Sequence, residues 1–221
     1  MIKELFIIIL LIVLGSACQQ KQPAQVALPQ KRALPYFIAA DFTPQWFESG
    51  SVPANLHSIA NFSFIDQNGN TITEKTVADK IYVADFFFTS CPGICPKLTK
   101  NMKLVQDAFK DDPNIILLSH SVTPDKDDTA ALKRYARNYG VMDHKWFLLT
   151  GNRDSVYSIA RKSYFADEEL GQQQDVNSFL HTENMFLIDT KRRIRGIYKG
   201  TSPAEMENII ADIKILKSEN K

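Results

Sequence analysis

The chain has 221 residues, of which 26 are lysine or arginine and 25 are aspartate or glutamate, leaving a formal net charge of +1. A chain so evenly balanced has no electrostatic footprint for nucleic acid. It shows no internal repeat, and its only cysteines are Cys18, Cys91 and Cys95.

The N-terminus addresses the compartment. Met1-Ile2-Lys3-Glu4 precedes an apolar run from Leu5 to Leu14, followed by Gly15-Ser16-Ala17-Cys18. A charged start, a short apolar stretch and a small-residue cleavage site are the pattern of a secretory signal. The run falls short of the roughly 20 apolar residues that span a bilayer. A cysteine directly after the small residues resembles a bacterial lipoprotein signal, with Cys18 the lipidated first residue of the mature protein. Gly15 stands where that signal usually has leucine, and Leu14 lies one position further back. The alternatives are an uncleaved anchor or an ordinary signal end with a free Cys18. Each puts the folded part outside the cytosol, where disulfides persist and thiols need reducing partners. The expected organisation is a signal over 1–18, a tether over 19–35 that is polar and contains Pro and Gln, and one domain over 36–221. Aromatic residues in 36–58 (Tyr36, Phe37, Phe42, Trp46, Phe47) pack on a body of roughly 165 residues, enough for a single core.

Within the body, 61–66 and Thr71-Ile72-Thr73 around Asn68-Gly69 predict a hairpin. Residues 81–88 predict a buried strand, and Pro96, Leu98, Met102, Val105 and Phe109 predict a helix over about 95–110 with one apolar face. Residues 114–119 predict a central strand covered on both sides. Asp127-Asp128-Thr129 opens a helix reaching about Tyr139, with carboxylates where the helix dipole favours them. A strand over 146–149, a helix over 152–162, a closing hairpin (185–188 and 194–198) and a last helix from Pro203 to about Lys217 complete the order. Strands alternating with helices and ending in a hairpin and a helix describe an α/β fold, a thioredoxin-like three-layer sandwich with an N-terminal hairpin extension.

Cys91 and Cys95 therefore sit where an apolar strand runs into a helix, at an exposed tip of the sheet. Two thiols there hold one soft metal or form one disulfide. Cys95 lies at the helix N-terminus, where unpaired N–H groups and the dipole favour a thiolate.

At these positions the sequence resembles a known family. Phe88-Thr89-Ser90-Cys91-Pro92-Gly93-Ile94-Cys95-Pro96, the segment from Ser121 to Asp127, Leu148-Leu149-Thr150-Gly151 and the segment from His181 to Asp189 together are similar to the Sco/SenC family. The motifs fall in the family's order and cover about residue 35 to the C-terminus. The resemblance implies a thioredoxin-fold, membrane-tethered copper-binding protein that helps metallate the dinuclear copper site of cytochrome c oxidase; some members are thiol reductases. It implies Cys91, Cys95 and His181 as copper ligands. It implies the oxidase subunit carrying that site as partner, with other copper chaperones or thiol reductants beside it. The expected location is the periplasmic side of a bacterial membrane, held by lipid on Cys18. Thr123 departs from the family, which commonly has Asp there, while Asp125 and Asp127 remain.

The donor set suits that cargo: thiolates prefer Cu(I), imidazole also suits Cu(II), and two of the first with one of the second serve both states. Cysteines one helical turn apart also permit a disulfide that abolishes metal binding. On this reading the chain is a metallochaperone. The second reading is an extracytoplasmic thiol–disulfide oxidoreductase in which the more exposed thiolate attacks and the other resolves; the three intervening residues depart from the usual Cys-x-x-Cys. A peroxiredoxin-like peroxidase fits less well, with a resolving cysteine only four residues away, and so does a purely structural disulfide, since a bridge closing so short a loop stabilises little. Away from this constellation, His120 is expected to cap or hydrogen-bond, His57 and His144 to sit in exposed loops, and Met102 and Met185 to pack in the core. Asp85 is expected to be buried, tuning a thiol or hydrogen-bonding. Lys191-Arg192-Arg193 with Arg195 is expected to form a solvated hairpin.

Overall fold

The computed structural model describes residues 33–48, 50–166, 180 and 182–219. Cys18, most of the tether and His181 lie outside the described residues. The first long strand, β5 (Ile81–Phe87), follows four short ones, β1 (Tyr36–Phe37), β2 (Pro44–Gln45), β3 (Ser63–Ile65) and β4 (Thr71–Thr73). Helix α1 (Cys95–Ala108), strand β6 (Ile115–Ser121), helix α2 (Thr129–Tyr139), strand β7 (Trp146–Leu149) and helix α3 (Arg153–Lys162) then alternate. Strands β8 (Asn184–Ile188) and β9 (Ile194–Lys199) and helix α4 (Pro203–Glu219) complete the chain.

Seven strands form one sheet in the order β2-β1-β9-β8-β5-β6-β7, with β5, β6 and β7 parallel and β8 antiparallel to β5. Every residue of β5 and β6 is buried, because both faces of these strands are covered. Alternation sends Val83, Phe87, Ile115 and Leu117 to one face, against Leu98 and Met102 of α1, Leu132 of α2 and Ile209 of α4. It sends Ala84, Phe86, Ile116 and Leu118 to the other, against Val156 of α3, Phe64 of β3 and Tyr164. The thioredoxin-like three-layer reading is borne out. The β3–β4 hairpin forms around Gly69 at φ +82° and covers the free edge of β7. There the buried Gln67 amide donates to Trp146 O at 3.0 Å and accepts Leu148 N–H at 2.8 Å, like a rung of an extra strand.

Three features differ from the expectations. Strand β6 runs two residues further, to Ser121, because its pairing with β5 continues through Phe86↔His120 and Phe87↔Ser121. Strands β1 and β2 add to the β9 edge where 36–58 showed no period. The basic run is not a solvated hairpin throughout: Arg193 and Arg195 are buried. Arg195 donates to Leu34 O at 2.8 Å and Pro35 O at 3.0 Å, pairs with Glu219 at 2.9 Å and lies over the Tyr36 ring at 4.0 Å. It thereby fastens the first described residues to the end of α4.

Candidate metal and thiol centre

The cysteine loop leaves the sheet at the C-terminal end of β5, and Pro96 in the first turn starts α1, where a missing N–H costs nothing. Cys91 N–H returns to Phe88 O at 3.3 Å, so the loop opens with a turn. Both cysteines are free thiols, Cys91 half-buried and Cys95 buried among α1 and the sheet. Their electrostatics reverse the order expected from position alone. Burial raises the Cys91 thiol, but the N–H groups of Cys95, Gly93 and Ile94 and the Cys95 thiol all point at its sulfur and bring it below the ordinary thiol value. The Cys95 thiol is pushed up to about 12, first by burial, then by donating to Cys91, with the charges of Cys91 and Asp85 adding. The helix-terminal amides thus serve the cysteine four residues upstream, and the thiolate-forming residue is Cys91.

Two hydrogen-bond systems hold this loop. Asp127, 1% exposed, accepts Thr89 N–H at 3.1 Å, Thr89 Oγ1 at 2.5 Å, Ser121 Oγ at 2.6 Å and Thr123 Oγ1 at 3.0 Å. Asp128 caps α2 by accepting Ala131 N–H at 2.7 Å. Of two adjacent carboxylates, one caps the helix and the other ties the cysteine loop to the end of β6. Thr123 is a donor to Asp127. On α1, Thr99 Oγ1 donates to Cys95 O at 2.9 Å and lies 2.6 Å from the Tyr135 hydroxyl, which fixes the helix against α2.

Asp85 projects from β5 on the same side as Cys95. It is fully buried, Oδ1 has no partner among the described residues, and burial raises its carboxyl to about 7 despite a hydrogen bond from Ser119. Ser119 Oγ in turn accepts the Trp146 indole N–H at 2.9 Å. His120 points to the opposite side. Contrary to the expected capping or bonding role, neither ring nitrogen has a partner among the described residues. Instead it stacks on Phe86 at 5.2 Å, with Phe64, Tyr164 and Phe62 edge-on or tilted around it. Burial lowers its pKa to about 3.

His57 is half-buried, with Nε2 2.8 Å from Ser163 O. His144 is exposed, and Met102 and Met185 are core residues. Among the described residues no group of three His, Cys, Asp or Glu side chains is arranged to hold a metal. The proposed third ligand, His181, lies outside them, between the buried Leu180 and Thr182. The register Ala84↔Phe186 sets the start of β8 at the end of the sheet from which the cysteine loop leaves. Sequence reasoning missed Asp127 as the tie of the loop. Asp125, Asp127 and Asp128 are alike in sequence, and only the Thr89, Ser121 and Thr123 hydroxyls converging on one carboxylate distinguish it.

Comparison with known proteins follows the same lines. The SCO1/SenC family matches residues 52–217. A SCO1 protein homolog of Bacillus subtilis is 28% identical over 160 residues, 72% of this chain and 82% of that protein. The crystal structure of a SCO1/SenC family lipoprotein from Bacillus anthracis superposes with a TM-score of 0.63 at 29% identity, covering 73% of this chain and 95% of that one. Bradyrhizobium japonicum ScoI, solved with copper bound, shares the fold at a TM-score of 0.57 and 24% identity, over 72% of this chain and 99% of that one. The chain belongs to the SCO1/SenC family.

Proposed function

We propose that this chain is a membrane-tethered metallochaperone on the extracytoplasmic, periplasmic side of a bacterial membrane, anchored by lipid on Cys18. Reduced Cys91 and Cys95 with His181 take copper as Cu(I) or Cu(II). They pass it by ligand exchange to the oxidase subunit that carries the dinuclear copper site. The observation that carries the reading is the pair of free thiols at the sheet tip, one acidified and half-buried, one buried beneath it. Such a pair offers one soft-metal donor that ionises more readily than an ordinary thiol and a second that ionises when a cation replaces its proton. Family membership, with its link to cytochrome c oxidase assembly, and the position of β8 beside the cysteine loop support the same assignment.

The unequal thiols also favour a second reading, thiol–disulfide exchange, in which Cys91 attacks an acceptor's disulfide and Cys95 resolves the mixed disulfide. An anaerobic titration of the reduced full-length protein with Cu(I) against a competing chelator separates the two. One equivalent bound tightly, and lost in both Cys91→Ser and His181→Ala, is the result expected of the chaperone. Weak binding indifferent to His181→Ala, with rapid thiol exchange abolished by Cys91→Ser, would make the protein chiefly a reductase.

A further inference from the structure

At the end of the sheet where β6 and β7 begin, a cavity of about 520 Å³ opens between the loops that precede β5, β6 and β7. Strands of this length set it about 20 Å from the cysteine loop. Ile116, Phe147 and Met142 give it an apolar lining, and Lys80 and Lys145 also line it. Lys145 is only 6% exposed; its ammonium donates to Ile115 O at 2.7 Å and to Asp112 O. The Lys80 ammonium donates to Pro113 O at 3.1 Å. Both cations are thus pinned on the backbone carbonyls of one short loop, 112–115.

An ammonium has three donors, and Lys145 uses two and Lys80 one on these carbonyls, so donors remain on both. No carboxylate of the described residues forms an ion pair with either. Lys110, His144, Asp111 and Asp143 also line the cavity. Asp143 is already occupied by Asn68 Nδ2 at 2.7 Å and by Lys133 at 3.6 Å. The Lys145 ammonium is pressed below its ordinary pKa first by burial and further by the Lys80 charge, against partial relief from Asp112 and Asp111. An anion between the two lysines offsets the Lys80 repulsion and gives the buried Lys145 charge a partner. The cavity volume lies within the range of small-molecule sites, which pair an apolar wall with a few fixed polar groups.

We propose that this cavity is a second binding site, for a small organic anion whose carboxylate or phosphate head bridges Lys80 and Lys145 and whose apolar body lies against Ile116, Phe147 and Met142. The site is separate from the cysteines, so its test is independent of copper. The test is an amide NMR titration of the isotope-labelled full-length protein with benzoate and with phenyl phosphate. Benzyl alcohol serves as the headless control and inorganic phosphate as the bodiless one. Saturable shifts of the amides at 115–117 and 145–147 with at least one of the aryl anions are expected. Binding should weaken about tenfold in Lys80→Met and for both controls, as for loss of a charge-assisted bond or of the buried body. Lys80 is the residue to change, because replacing Lys145 leaves two carbonyls unpaired and risks the fold. No saturable shift with either aryl anion, binding of either control as tight as theirs, or an unaffected Lys80→Met would each overturn the proposal.

Discussion

Asp127 grips Thr89 twice, accepting its N–H at 3.1 Å and its hydroxyl at 2.5 Å, two residues before Cys91. The same carboxylate takes Ser121 and Thr123, so one buried side chain sets where the cysteine loop stands relative to the end of β6. Asp127→Ala strands these donors. Leaving a buried donor unpaired costs about 1–3 kcal/mol, and the half-buried ones regain water, so a loss of about 3 kcal/mol is expected in denaturant unfolding. Copper affinity should fall about tenfold through the loosened loop, while two thiols still titrate in the unfolded protein. Unchanged stability and affinity would show that the loop holds itself.

The two thiols should separate by reactivity. Cys91 lies below the ordinary thiol value and Cys95 near 12, so an alkylating reagent applied to the reduced protein at pH 7 should modify Cys91 alone. Peptide mass spectrometry reads this directly. Cys95→Ala removes the thiol that donates to Cys91 and should slow Cys91 alkylation at that pH. Labelling of Cys95 first would return the thiolate to the helix N-terminus.

Much of this arrangement was legible in the residues. A short apolar run gave the strand over 146–149 at its observed bounds, and Asp128, Asn152 and Pro203 marked helix starts that the structure keeps. The cysteine pair was found because strand, pair and helix are contiguous in the chain. Features decided by distant packing were not legible. Which sulfur faces the helix amides depends on the fold of Pro92-Gly93-Ile94, and burial overrides the dipole at Cys95. His120 reads as the residue just past the central strand, because the apolar run over 114–119 stops before it. Its place in the sheet depends on β5 supplying Phe86 and Phe87 as partners. Arg195 reads as solvated because Glu219, its partner, lies 24 positions on, and the carbonyls it binds lie near the other end of the chain.

Asp85 should weaken the fold as pH rises. Its folded carboxyl titrates near 7 against 3.8 unexposed to such burial, so between these values the folded state holds a proton that the unfolded state has lost. Stability therefore declines from about pH 4 to 7, by up to about 4 kcal/mol at about 1.4 kcal/mol per unit. Asp85→Asn should be more stable than the parent at pH 8 and gain little at pH 4, measured by denaturant unfolding. The substitution should also lower the Cys95 thiol, since the Asp85 charge helps hold it up. Equal effects at both pH values would mean that the carboxyl stays neutral or stays ionised throughout.

His120 carries the opposite slope, and the two residues offset each other. The folded imidazole protonates only near pH 3, against 6.5 ordinarily, so below 6.5 the unfolded state takes up a proton that the folded state refuses. Stability is then lost as pH falls, about 2 kcal/mol between 6.5 and 5. Over that interval the Asp85 contribution rises by a similar amount, so the parent protein should show a nearly flat profile for these two groups. His120→Phe keeps the ring in its aromatic surroundings, removes two buried nitrogens without partners among the described residues, and leaves Asp85 unopposed. That variant should unfold more readily at pH 6.5 than at pH 5, whereas Asp85→Asn should do the reverse. Guanidinium unfolding of both variants at the two pH values tests the pair together. Parallel profiles would separate the acid response of the fold from these two side chains.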